Sequence, residues 1–174
     1  MKALTGFLAA LVTLTATTPL FAQDESTNRV AVETAWTVFV EDSPKECWSV
    51  SSPTDTVNTR GGQVVTVRRG DILLFVTYRP GAKVRGEVSF TGGYPFADGS
   101  TVSLAIGGTS FDLFTEGEWA WPGSPEDDAK IIASMKRGAE AVLTARSGRG
   151  TQTKDTFSLI GFTAALDEAA GRCG

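Results

Sequence analysis

The sequence predicts a mainly β fold, an antiparallel β-sandwich with one or two short helices late in the chain. Three observations predict it. Short runs rich in β-branched and aromatic residues recur between glycine, proline and serine turns. Nothing resembles alternating βαβ units. The clearest helix-start pattern, Ser124-Pro-Glu-Asp127, comes only after most of those runs.

Taken in order, Ala35 to Val40 alternates so that Trp36, Val38 and Val40 share one face, although Phe39 makes the other face less than wholly polar. Glu41 to Lys45 is a turn, and Glu46-Cys-Trp-Ser-Val50 is a second strand that Ser51-Ser-Pro53 breaks. Gln63 to Arg68 and Asp71 to Tyr78 flank Arg69-Gly70 and read as a hairpin. The second of these runs is apolar enough for a central strand buried on both faces. Gly86 to Phe90 follows, and Gly92-Gly-Tyr-Pro95 turns the chain. Thr101 to Ile106 and Ser110 to Phe114 enclose Gly107-Gly108, whose tolerance of positive φ suits a tight hairpin. Glu118 to Trp121 is a short aromatic strand.

Ser124 can cap a helix, Pro125 suits its first position, and the acids that follow suit its positive end. Ile131, Ile132, Met135 and Ala139 have helical spacing, and Gly138 is the expected stop. Val142 to Arg146 and Thr151 to Leu159 form another hairpin, and Phe162 to Ala170 a final helix. Trp36, Val38, Val65, Leu73, Phe75, Phe90, Leu104, Phe157 and Leu159 are the expected core.

Residues 1–22 read as a secretory signal peptide: Lys2, an apolar stretch free of carboxylates, Pro19, and a cleavage point at Leu20-Phe21-Ala22. The apolar part is short for a membrane span, so residues 23–174 are expected as one exported domain that does not span a membrane. The formal charge of the chain is -4 with no block of like charges, which argues against nucleic acid as a partner. The chain has no histidine, which excludes Ser-His-Asp and Cys-His catalysis and histidine-containing zinc sites within it. Carboxylate-only hydrolysis remains open. Cys47 and Cys173 are the two cysteines, and in an oxidising compartment one intramolecular disulfide is the simplest reading. A loop of that length sets an upper guide of roughly 5 kcal/mol of stabilisation.

Among chemical candidates, Glu116 and Glu118 stand two apart beside Trp119 and Trp121. Paired acids with aromatics can serve a carbohydrate site or hydrolysis, and they can equally be a solvated strand edge. Tyr94, Phe96, Trp119 and Trp121 lie in or beside turns, where aromatics form binding surfaces but also fill sandwich cores. Asp98 to Thr101 and Glu126 to Asp128 lack calcium-loop spacing and are explained by turn and cap chemistry. Arg68-Arg69 reads as a solvated hairpin tip. No cofactor or metal is implied.

The landmarks Trp36, Cys47-Trp48 before the serine-rich break at Pro53, Lys136-Arg-Gly138, Phe157-Ser-Leu-Ile-Gly-Phe-Thr-Ala-Ala165 and the terminal Cys173 give the chain a resemblance. It resembles the invasion-associated locus B (IalB) family of small periplasmic proteins across nearly all of its expected mature length. That resemblance implies a signal peptide, a β-rich domain, an envelope location and a link to host-cell invasion. It supplies no catalytic residue. The stretch from Gly92 to Pro122 carries the least family pattern and is where a specialised role is expected. The function expected first is therefore non-enzymatic binding of an envelope or host component. Binding of a glycan or small molecule through the aromatics near Trp119, and carboxylate hydrolysis, are the alternatives.

Overall fold

The computed structural model describes residues 28–174, so the expected signal segment lies outside the described residues. The strands are β1 (Arg29–Glu33), β2 (Trp36–Asp42), β3 (Lys45–Ser51), β4 (Asp55–Arg60), β5 (Gln63–Val64), β6 (Leu73–Arg79), β7 (Val84–Thr91), β8 (Thr101–Ile106), β9 (Thr109–Glu116), β10 (Trp119–Trp121), β11 (Glu140–Arg146) and β12 (Gln152–Ser158). Helices α1 (Pro125–Met135) and α2 (Phe162–Cys173) come late, as expected. The strands form one sheet in the order β1-β2-β3-β6-β7-β10-β9-β8-β11-β12-β4-β5, and the paired strands run antiparallel.

That sheet folds over on itself, so its two halves face each other in sandwich fashion. β3 and β4 stand near opposite ends of the order, yet only Ser52 to Thr54 separate them in the chain. The ends meet: the Trp36 indole N–H donates to the Ser158 carbonyl (3.0 Å), and the Ala35 amide to the Ile160 carbonyl (3.3 Å). Between the halves lies one core, in which Phe90 of β7 meets Phe157 of β12 edge to face, centroids 6.2 Å apart.

Helix α2 covers the inner side of β1, β2, β3 and β6 through Phe162, Ala165, Leu166 and Ala169. The Phe162 ring stands 4.9 Å from that of Trp36. Glycine is required immediately before this helix. Gly161 has φ +89°, and a Cβ there would lie 1.9 Å from the Glu33 carbonyl oxygen. At its other end the helix is fixed by the Cys47–Cys173 disulfide, Cα atoms 5.8 Å apart, which the sequence had predicted.

Helix α1 starts as expected: the Ser124 hydroxyl accepts from the Asp127 amide (3.2 Å), and Pro125 follows. It ends at Met135, slightly ahead of the predicted stop, where Gly138 donates to the Ser134 carbonyl (2.9 Å). Ile131 and Met135 are buried, and Asp128 accepts the Val88 amide of β7 (2.8 Å). That bond satisfies a strand amide at the point where short β10 no longer covers β7.

Three expectations need correction. The hairpin of Gln63–Arg68 with Asp71–Tyr78 does not form. β5 instead pairs with β4 across Gly61-Gly62, and residues 65–72 carry no regular structure. Polar Asp55-Thr-Val-Asn-Thr-Arg60 has too little apolar alternation to announce β4. Second, Arg69 is not a solvated tip. Its side chain is 6% exposed and forms an ion pair with the fully buried Asp155 carboxylate. The adjacent Gly70 amide donates to Gly93 (2.9 Å), holding the segment away from a ladder.

Third, Leu73 and Phe75 lie on the outer face, and Val65 is half-buried, while Leu74, Val76 and Tyr78 take the core positions. In a run apolar at nearly every position, alternation cannot set the phase, and a shift of one residue reverses both faces. Trp36, Val38, Phe90, Leu104, Phe157 and Leu159 are buried as expected.

Candidate functional site

The outer face of the β2-β3-β6-β7-β10-β9 half is aromatic, and register explains why. Phe39 lies opposite Trp48, and Trp48 opposite Thr77; one step along, Val50 faces Phe75 and Phe75 faces Ser89. Another step brings Leu73, Thr91, Trp119 and Glu116 into one row, and Trp121 stands opposite Phe114. Residues directly opposite across antiparallel strands share a face, so side chains distant in sequence become one surface. Phe39 and Trp48 lie parallel within 11°, centroids 5.7 Å apart, and Trp119 and Trp121 within 21° at 6.3 Å. Phe75 bridges to Trp119 at 5.7 Å.

Small residues on β6 and β7 leave a trough between these aromatic groups. Trp48 stands on one side and Trp119 with Trp121 on the other, and Phe75, Thr77 and Ser89 lie between. Arg79 and Glu87, joined at 2.6 Å, and Glu46 complete an open groove of about 360 Å³. The strands of Trp48 and Trp119 lie three inter-strand steps apart, about 14 Å across the sheet. Register sets Trp119 in the Leu73 row, further along the strands than the Thr77 row of Trp48. Trp119 is 39% exposed and neighbouring Phe114 62%.

The other half of the sheet differs. Its outward rows are Ser103, Thr144, Lys154 and Val57, with Arg146, Gln152 and Thr59 beside them, and none is aromatic. Exposed apolar patches of this kind commonly mark interaction sites.

The groove contains unused hydrogen-bonding capacity. Among the described residues the indole N–H groups of Trp48, Trp119 and Trp121, the hydroxyls of Thr77 and Ser89, and the Glu46 carboxylate make no protein hydrogen bond. The arrangement offers flat apolar faces for stacking together with both donors and acceptors. Among the described residues no group of His, Cys, Asp or Glu is placed to hold a metal ion.

The structure divides the predicted surface. Trp119 and Trp121 share the groove. Glu116 lies in register with Trp119, and Glu118 sits in the adjoining turn; both are exposed and neither lines the groove. Tyr94 and Phe96 face the core instead. Phe96 is 6% exposed and packs against Phe90, centroids 6.1 Å apart. Tyr94 shares a 2.5 Å hydrogen bond with the Thr153 hydroxyl, and the Arg69 guanidinium lies 5.0 Å from its ring centroid. Burial pushes its phenol pKa up, and the Thr153 bond partly offsets this.

The groove also uses Trp48, Phe75, Glu46, Arg79 and Glu87, with Phe39 stacked on Trp48 beside it, and none of these stood out from its own neighbours in sequence. The available signal was the apolar outward phase, Phe39 on the second strand and Trp48 beside Cys47.

Fold and site together define a disulfide-tied antiparallel β protein with an aromatic groove on one outer face. The chain belongs to the invasion associated locus B (IalB) protein family, whose profile matches residues 36–170. Its fold is similar to the crystal structure of invasion associated protein b from Bartonella henselae, with a TM-score of 0.56 at 14% identity. The likeness covers 81% of this chain and 95% of that one. No curated protein matches the chain.

Proposed function

We propose that the protein is an exported, non-enzymatic binding protein of the periplasm or cell envelope, released by cleavage near Ala22, whose contact surface is the aromatic groove. The observation that carries this reading is the grouping of Trp48, Phe75, Trp119 and Trp121 on one outer face while, among the described residues, the paired outward rows of the opposite half hold no aromatic side chain. Large aromatics in a partly exposed groove bind by displacing water over wide areas, and tryptophan is the residue most enriched at binding hot spots. Export is supported by the Lys2-to-Ala22 pattern and the disulfide, which persists in oxidising compartments. Among the described residues no helix is long and apolar enough to cross a membrane.

The partner is an envelope or host component. Hydrolysis by Glu116 and Glu118 has less support, because both are exposed and neither lines the groove. Crosslinking in intact cells, followed by mass spectrometry, tests the proposal. Wild-type protein should give a discrete adduct that Trp119→Ala and Trp121→Ala lose while still folding. An adduct unchanged in both variants overturns the groove as the contact surface.

A further inference from the structure

We infer that the groove takes an uncharged sugar ring, a single unit or chain end of a neutral glycan. This rests on the groove being the contact surface and adds what the partner presents to it. A pyranose ring has C–H groups across its faces and hydroxyls round its edge. The groove has the complementary division. Trp48, Phe75, Trp119 and Trp121 supply apolar faces, and Glu46, Thr77, Ser89 and the Arg79–Glu87 pair supply donors and acceptors between and beside them. Each sugar hydroxyl both donates and accepts, so it can meet the Glu46 carboxylate, the Thr77 and Ser89 hydroxyls or an indole N–H without leaving a buried group unmatched.

Other ligand chemistries leave parts of this set unanswered. An acyl chain would cover hydroxyls and carboxylates and satisfy none of them. A proline-rich peptide brings carbonyl acceptors but few N–H donors, and so cannot answer Glu46 and Glu87. An anion meets two carboxylates against one guanidinium, and that guanidinium is already paired. A quaternary ammonium would find aromatic walls, but it brings no hydrogen bonds and faces Arg79. An added peptide strand has no access here, because the groove floor is made of strands paired on both sides and Asp128 already holds the free Val88 amide of β7. A volume of about 360 Å³ lies at the small end of ligand sites and suits one or two rings.

The test uses full-length mature protein with its disulfide intact. Neutral oligosaccharides of hexose and N-acetylhexosamine units are screened on an array and then titrated by tryptophan fluorescence. Tetramethylammonium and a polyproline peptide are run in parallel. The expected result is saturable binding of a neutral sugar that persists at about 0.5 M salt, where exposed charge–charge attraction is screened. Trp48→Ala and Trp119→Ala should weaken it about tenfold or more. Glu46→Gln, which leaves the packing unchanged, should weaken it by a smaller factor.

Binding of tetramethylammonium or polyproline with no sugar bound overturns the inference. So does the absence of sugar binding when the in-cell adduct is still lost in the Trp119 variant, and in that case the groove remains the contact surface. If no sugar binds and the adduct is insensitive to the tryptophan variants, both readings fall.

Discussion

Asp155 receives two parallel hydrogen bonds from Arg69, each 2.7 Å, inside the folded-over sheet. The carboxylate is fully buried on β12, and the guanidinium reaches it from the irregular segment between β5 and β6. The Arg69 Nε–H also donates to the Gly92 carbonyl (2.9 Å). One side chain therefore ties an unladdered segment to both halves of the sheet. Removing one partner leaves the other charge buried and unmatched, which costs far more than an exposed pair contributes.

Asp155→Ala is accordingly expected to lower unfolding free energy by about 3–5 kcal/mol. The double variant Arg69→Met with Asp155→Leu should recover much of that loss, because no charge remains to be desolvated. Urea unfolding of the three proteins checks this. Equal stability of the single variant and wild type would show that the pair carries little.

The Cys47–Cys173 bridge closes a loop of 126 residues in sequence separation and fastens the last residue of α2 to β3. Cys173→Ser should cost ~2–5 kcal/mol, the usual loss for a native bridge in a small secreted domain. The helix should loosen from its C-terminal end, because Phe162 still anchors its start against Trp36. Hydrogen exchange should accelerate at residues 169–173 before it does in β2 or β3. Uniform acceleration throughout the sheet would contradict this order.

How much of this was legible in the sequence depends on how local the cause is. The Gly107-Gly108 hairpin, the Ser124 cap and the late helices could be read because neighbouring residues determine them. The disulfide could be read because two cysteines leave one simple intramolecular pairing. β4 was missed because its residues are polar and it is held by pairing with β12, about a hundred residues away. The inward turn of Arg69 was missed because its partner Asp155 is equally remote. The phase of β6 could not be read from an all-apolar run, so Phase-sensitive Phe75 was expected inside. For the site, Trp119 and Trp121 could be found from their own strand. Grouping them with Trp48 and Phe75 needed the β3-β6-β7-β10 order, which only tertiary pairing supplies.

Asp128 makes stability depend on pH. Burial raises its carboxyl to about 6, the charges of Glu87 and Asp127 add to this, and the Val88 amide partly offsets it. In the unfolded chain an aspartate titrates near ~3.9. The folded protein therefore binds this proton more tightly, and the resulting stabilisation is fully present below about pH 4. It declines as pH rises through about 6 and is absent above that. Asp128→Asn keeps an oxygen acceptor for Val88 and has no charge to bury. It should exceed wild type in urea midpoint at pH 7.5 and approach it at pH 4. A variant less stable than wild type at pH 7.5 would show that the charge itself strengthens the α1–β7 contact.

The tryptophans separate core from surface. Trp36 is fully buried, donates to Ser158 and packs on Phe162, so Trp36→Ala should cost about 3–5 kcal/mol. Trp119 is 39% exposed and rests on Phe75 and Trp121 at the outer face. Its removal opens no internal cavity, because water already reaches the ring, and Trp119→Ala should cost about 1 kcal/mol or less. Trp121, half-buried beside it, should behave similarly. Partner capture should show the opposite order: lost in the Trp119 and Trp121 variants, and lost in the Trp36 variant only when the protein unfolds. Thermal melts run beside capture from envelope extract measure both quantities on the same preparations. If Trp119→Ala melts as early as Trp36→Ala, the outer aromatics hold the sheet together, and the groove loses its claim as a binding surface.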